Sequence, residues 1–213
     1  AIAPTDTQGI AVGAVARRRP PDLFFRDLAI APTAKRRPQG CGRHTRLPML
    51  IVPPKIGVVV LNYNSARDTL GCLDTLRQAD GGERRVWVVD NGSEDGSAAT
   101  IPPSLQDGEV WLPLGSNFGY AAGNNAGIRA ALEWGAAYVL ILNPDVRVSP
   151  DFLPPLVRAL EGAPQAGAAC PLVLSRDGET VQSLGGESSL WTGRCSRRLF
   201  GQPASLARAL NWL

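Results

Sequence analysis

Residues 56–64, IGVVVLNYN, decide the fold. The run from Ile56 to Leu61 has no polar side chain, and it ends abruptly in Asn62-Tyr63-Asn64. A strand with one wet face would alternate apolar and polar residues. An unbroken apolar run marks a strand buried on both faces, the habit of parallel sheets. Outward from it, ARDTLGCLDTLRQA (66–79) carries Leu70, Leu73 and Leu76 at helical spacing. RRVWVVDNGS (84–93) reads as a second buried strand, GSAATIPPSL (96–105) as a short helix or turn, and EVWLPLG (109–115) as a third strand. YAAGNNAGIRAALEWG (120–135) reads as a helix ending near Gly135, and AYVLILN (137–143) as a fourth strand. Ser149 offers an N-cap and Pro150 a first helical residue for DFLPPLVRALEG (151–162), which Pro154-Pro155 should make irregular. GAACPLVL (167–174) reads as another strand, and Asp177-Gly178 in SRDGETVQSLGG (175–186) as a hairpin turn. Strands alternating with helices predict an α/β fold, a mostly parallel sheet with helices on both faces.

The first 48 residues are unlike the rest. They hold nine of the 22 Lys/Arg and three of the 19 Asp/Glu, which makes them +6 and leaves the remainder −3. RRRPPD and KRRPQGCGRHTR keep neither helical nor strand periodicity, as expected of a disordered tail. A basic arm for nucleic acid or anionic lipid is the minority alternative, and no nucleic-acid partner is expected. Met49 is the only methionine, and MLIVPPKIGVVVLNYN reads as a natural start. Residues 1–48 are therefore expected to be a disordered or non-native extension, and residues 49–213 the folded domain.

The composition, 44% hydrophobic and 19% charged, suits a soluble globular protein. No apolar run approaches the roughly 20 residues of a membrane span. AIAPTDTQGIAVGAVA has no basic residue before it, unlike a secretory signal. Cys41, Cys72, Cys170 and Cys195 form no CxxC pair, which argues against a zinc site or disulfide framework and for free thiols in a reducing cytoplasm. His44 is the sole histidine, which excludes a histidine-rich metal centre and makes a Ser-His-Asp triad improbable.

In parallel sheets, ligands bind beyond the carboxyl ends of the strands. Asn62-Tyr63-Asn64, Asp90-Asn91-Gly92-Ser93 and Asn143-Pro144-Asp145 should share that edge. One such end is a turn, whereas three together make a site. NYNSARD lacks the glycines of a dinucleotide-binding turn, so NAD is disfavoured. Gly119, Gly123 and Gly127 share a helix face, either for close packing on the sheet or to admit a flat ligand beside Asn117 and Asn124. Asp90 can accept the N3–H of a pyrimidine, or serve as an Asx turn or N-cap over DNGSEDGS. Asp145 can ligate Mg²⁺ or Mn²⁺, which take oxygen ligands and keep water and substrate phosphates in their shell.

Together VVVLNYN, VVDNGSEDGS, NFGYAAGNNAGI and LILNPDVRVSPDFL closely resemble family 2 glycosyltransferases of a rhamnosyltransferase-like branch, over about Lys55 to Leu213. The resemblance implies a GT-A fold, incomplete at the C-terminus, and inverting transfer from a dTDP- or UDP-sugar to a glycan or lipid-linked acceptor. It implies a nucleotide-sugar site made of Asn62, Asn64, Asp90, Asn117, Gly119, Gly123, Asn124, Asn143 and Asp145, with Asp90 on the base and Asp145 on the metal. Asn143 replaces the first carboxylate of the family's DxD motif. Inverting transfer also needs a general base. The resemblance puts it in a Glu-Asp pair beyond Leu213, because RALNWL resembles the stretch before that pair, while Asp177, Glu179 and Glu187 sit in no matching motif. The expectation is a truncated, donor-binding part that is inactive alone, its catalytic residues unknown. The alternative is a non-catalytic nucleotide-sugar-binding module or pseudogene product. A sugar nucleotidyltransferase would want a phosphate loop that LNYNSARD does not supply. Trp191 is expected in a hairpin core or against a sugar ring. Arg194, Arg197 and Arg198 are expected on a solvated edge or at a lipid diphosphate on the inner membrane face.

Overall fold

The structure, a computed structural model, describes residues 14–17, 54–188, 191–192 and 195–209. These belong to one compact unit; a second unit, residues 19–53, lies outside the described residues. The strands and helices run β1 (Ala14–Arg17), β2 (Ile56–Asn62), α1 (Ala66–Arg77), β3 (Arg84–Asp90), α2 (Ser97–Thr100), β4 (Glu109–Pro113), α3 (Gly119–Glu133), β5 (Tyr138–Leu142) and α4 (Leu153–Gly162). There follow β6 (Ala168–Ala169), β7 (Val173–Leu174), β8 (Val181–Ser183), β9 (Gly186–Ser188), β10 (Cys195–Arg197) and α5 (Ala204–Ala209).

The main sheet has the order β4-β3-β2-β5-β1-β6. Its first four strands are parallel, as the apolar runs predict. All seven residues of β2 are buried, because successive side chains point to opposite faces and both faces are covered. Val58 and Val60 pack with Val86, Val88, Leu140 and Leu142 beneath Leu73 and Leu76 of α1 and Leu153, Leu156 and Leu160 of α4. Val59, Leu61, Trp87, Val89 and Val139 form the opposite core with Ala131 of α3. Each fully buried valine contributes on the order of 1.5 kcal/mol or more.

Helix α3 lies close on the sheet because its facing residues lack side chains. A β-carbon at Gly127 would stand 2.5 Å from Val59 Cγ1 and 2.9 Å from Val89 Cγ2, and one at Gly123 would stand 2.5 Å from Leu61 Cδ1. Both positions serve packing, the first of the two roles the sequence left open.

The structure departs from the sequence reading in four places. Ala14–Arg17, inside the stretch read as an unstructured extension, forms β1, antiparallel to both β5 and β6. The rest of residues 1–48 lies outside the described residues. Helix α4 begins at Leu153, and Ser149 closes a turn instead of capping it, its carbonyl accepting from Phe152 N–H at 3.2 Å. Pro154 and Pro155 then fall in the first helical turn, where a missing N–H costs nothing, so the helix stays regular. Residues 167–174 split into β6 and β7, in different sheets. Trp191 is 99% exposed, so it is no core residue. The Asp-Gly hairpin is present: β7 pairs antiparallel with β8, and Gly178 takes φ +73°.

Candidate functional site

The carboxyl ends of β3, β2 and β5 lie side by side. Asn62 sits opposite Asp90 in the β2–β3 register, and Val60 opposite Leu142 on β5, which sets Asn143-Pro144-Asp145 beside the end of β2.

Asn62 is fully buried, and both ends of its amide are hydrogen-bonded. Its Nδ2 donates to Asp90 Oδ1 at 2.8 Å and to Ser93 Oγ at 3.0 Å, while its Oδ1 accepts from Thr69 Oγ1 of α1 at 2.7 Å. Asp90, 5% exposed, also accepts from Ser93 Oγ at 2.5 Å on Oδ1 and from Ser93 N–H at 3.2 Å on Oδ2. Asp90 thus closes the DNGS turn through the N–H three residues on, and Oδ2, with one long hydrogen bond, keeps room for another donor. Asn64 is exposed and left-handed at φ +49°, a conformation asparagine tolerates. It ties two loops: its N–H donates to Ser93 Oγ at 2.9 Å, and its Oδ1 accepts from Glu94 N–H at 2.7 Å. Asp95 accepts from Ala66 N–H at the start of α1 and from Ser97 N–H at the start of α2, so one carboxylate ties the first turns of two helices together. The Ser97 hydroxyl bond, first among these, holds the Asp95 carboxyl below its usual range.

A second group lies on the α3 side. The buried Asn91 donates to Asn117 Oδ1 at 2.9 Å and to Gly119 O at 3.3 Å, and accepts from Phe118 N–H at 3.0 Å. Asn117 Oδ1 also accepts from Gly119 N–H at 2.8 Å, where α3 begins. Gly92 is required here: its φ is +77°, and a β-carbon would stand 2.6 Å from the Ser116 backbone. Gly119, at φ +81°, makes the turn into α3. Asn124 is buried, with Nδ2 on Tyr120 O at 2.9 Å and Oδ1 unpartnered. Tyr120 reaches across to β5, its hydroxyl donating to Asn143 Oδ1 at 3.1 Å.

Asn143-Pro144-Asp145 is itself a turn, with Val146 N–H on Asn143 O at 3.3 Å. Asp145 carries something a plain turn residue does not. Its Oδ1 is buried and has no hydrogen-bond partner. A buried ionised oxygen without a partner is costly, and a divalent cation would satisfy it. Among the described residues no group of three or more His, Cys, Asp or Glu is placed to hold a metal. A cation here would rest on Asp145, water and donor oxygens, a shell Mg²⁺ and Mn²⁺ accept.

The sequence-predicted residues thus fall into an Asn62–Asn64–Asp90 cluster, an Asn117–Gly119 cluster, and an Asn143–Asp145 turn tied to α3 through Tyr120. Gly123 lies on the sheet-facing side of α3, where a β-carbon would stand 2.5 Å from Leu61 Cδ1 and 3.5 Å from Asn91 Cγ. Thr69 and Tyr120 were missed; Asn91 and Ser93 were placed at this edge as part of DNGS but were given no role of their own. Asp177 is a turn residue, accepting from Ser175 Oγ, Glu179 N–H and Thr180 N–H. Arg198 is exposed, and the side chains of Arg194 and Arg197 lie outside the described residues.

Comparison with known proteins gives this edge a context. The low-salt glycan biosynthesis hexosyltransferase Agl10 of Haloferax volcanii is 29% identical over 127 residues, 59% of this chain and 39% of that protein. The succinoglycan biosynthesis protein ExoO of Rhizobium meliloti is 32% identical over 134 residues, 61% of this chain and 36% of that protein. The chain spans under two fifths of the length of these curated relatives. Among solved structures, residues 1–349 of S. aureus TarS superpose at TM-score 0.44 with 23% identity, covering 51% of this chain and 32% of that one. A mannosyltransferase from Pyrobaculum calidifontis, in complex with GDP-Man and Mn²⁺, superposes at 0.43 with 24% identity, covering 54% and 36%. Residues 57–207, most of the chain, match Glycosyl transferase family 2, and the chain belongs to that family.

Proposed function

We propose that this chain binds a nucleoside-diphosphate sugar at the β3–β2–β5 edge and supplies the donor side of an inverting hexosyl transfer to a glycan or lipid-linked acceptor. The observation that carries the reading is the pairing of the buried Asn62–Asp90–Ser93 network with an unpartnered carboxylate oxygen one strand away, on Asp145. The network holds the Asp90 carboxylate in one orientation, so Oδ2 meets the imide N–H of uracil or thymine without reorganisation. Asn91 and Asn117 fix the start of α3, where backbone N–H groups favour anionic ligands. Asp145 would hold the divalent cation. Bound there, the cation would offset charge on the departing diphosphate. Rhamnose from a dTDP donor is the finer reading and rests on the motif resemblance alone. The reaction is placed in the cytoplasm, at the inner membrane face for a lipid-linked acceptor.

Calorimetric titration of UDP, dTDP and GDP into the full chain, with and without Mn²⁺, tests this. UDP or dTDP should bind, more tightly with Mn²⁺, and GDP more weakly. No binding of any of the three with Mn²⁺ present would end the proposal.

A further inference from the structure

The turn that carries Asp145 is fastened to α1 by Arg147, a motif residue to which the sequence reading assigned no role. Arg147 Nη1 donates to Val146 O at 2.9 Å and lies 3.5 Å from Pro144 O, the carbonyls of the two residues flanking Asp145. The same atom is 3.4 Å from Asp68 O on α1, and Nη2 is 3.8 Å from Asp68 Oδ1. Two turns further along α1, Thr75 Oγ1 accepts from Val148 N–H at 3.3 Å. The guanidinium approaches α1 closely because residue 71 is glycine: a β-carbon there would overlap it. Asp68, Gly71 and Thr75 are spaced i, i+3 and i+7, so they present one helical stripe to the turn.

Stability does not account for this arrangement. Both charged side chains are more than two-fifths exposed, and pairs of that kind contribute on the order of 1 kcal/mol or less. Glycine inside a helix itself costs roughly 0.5–1 kcal/mol relative to alanine. The stripe keeps a destabilising residue, and what it gains is the seat of the guanidinium behind Asp145.

We infer that Arg147 is a positioning residue, seated by Gly71, that holds the backbone on both sides of Asp145 and so aims its carboxylate at the cation; this rests on the donor-site reading above. The test compares Arg147→Ala, Gly71→Ala and Asp145→Ala in the full chain. The readouts are UDP or dTDP affinity with and without Mn²⁺, and the melting temperature. Arg147→Ala should cut the Mn²⁺-dependent gain in affinity by about 10-fold, as loss of a residue supporting a metal ligand does. Affinity without Mn²⁺ and the melting temperature should hold, whereas a merely structural role would lower all three together. Gly71→Ala leaves the arginine in place but displaces its head. It should reproduce the loss in the Mn²⁺-dependent gain while the melting temperature holds or rises. The double variant should be no worse than either single, because both act on one contact. Arg147→Lys keeps the charge without the fork and should recover only part of the gain. If Asp145→Ala abolishes the gain while Arg147→Ala and Gly71→Ala leave it whole, the inference fails and the donor-site reading stands. If Asp145→Ala leaves the gain whole, the metal reading beneath it fails.

Discussion

Removing the Asn62 side chain strikes the centre of the proposed site. Asn62→Ala deletes the hydrogen bonds to Asp90 (2.8 Å), Ser93 (3.0 Å) and Thr69 (2.7 Å) at a fully buried position. The bond to the Asp90 carboxylate is charge-assisted, worth about 1.5–3 kcal/mol, and the two neutral bonds about 0.5–1.5 kcal/mol each. Thr69 has an escape: Ser65 O, which already accepts Thr69 N–H at 2.9 Å, can take the hydroxyl too, so its share falls at the low end. The net loss is then about 3 kcal/mol, a large part of the roughly 5–15 kcal/mol that holds a typical domain together. Urea denaturation of wild type and variant, followed by circular dichroism at pH 7, measures it as a lower midpoint at unchanged slope. Asn62→Asp should be worse, because it sets a second carboxylate against Asp90. A cycle with Ser93→Ala isolates the coupling within the network. A loss below about 1 kcal/mol, the range of a surface contact, would refute the claim that this network is a preorganised buried unit.

Four other outcomes are expected. Gly127→Ala should destabilise by about 1–2 kcal/mol in thermal melts, because overpacking against Val59 and Val89 outweighs the gain in helix propensity. Asp145→Ala should cost no stability in the same melts, since it removes a buried oxygen that has no partner. Burial pushes the Cys72 thiol up to about 12, whereas Cys170 is exposed. Peptide-resolved alkylation at pH 8 should therefore label Cys170 in the native protein and Cys72 only after unfolding. The Cys72 contribution to stability should be whole below pH 9.0 and decline as the pH rises from there toward 12, because the unfolded thiol ionises first.

What the sequence made legible was whatever depended on local pattern. The unbroken apolar runs at β2, β3 and β5 could be nothing but doubly covered strands, and Asp177-Gly178 could hardly be anything but a turn. The polar strand ends were legible too, because a run that stops at Asn or Asp announces where the sheet meets solvent. What escaped depended on partners distant in sequence. Thr69 becomes a site residue only through Asn62, seven positions away, and the part Ser93 plays in orienting Asn62 spans 31 positions. Arg147 matters through Gly71, a residue that alone reads as a weak point in a helix. The pairing of Ala14–Arg17 with β5 leaves no mark in a segment without periodicity. At α4 two local signals competed: Ser149-Pro150 looks like a cap, and Pro154-Pro155 looks like a break. Moving the start to Leu153 satisfies both prolines at once, a choice made by the packing of Leu153, Leu156 and Leu160.

Hydrogen exchange of the full chain, read by mass spectrometry with and without UDP or dTDP and Mn²⁺, tests the central claim most directly. Ligand should slow exchange in the peptides covering residues 62–64, 90–93, 117–124 and 143–147 and leave the opposite end of the sheet, around Lys55, Arg85 and Trp134, unchanged. Protection confined to other segments, or none at ligand concentrations that saturate binding, would contradict it.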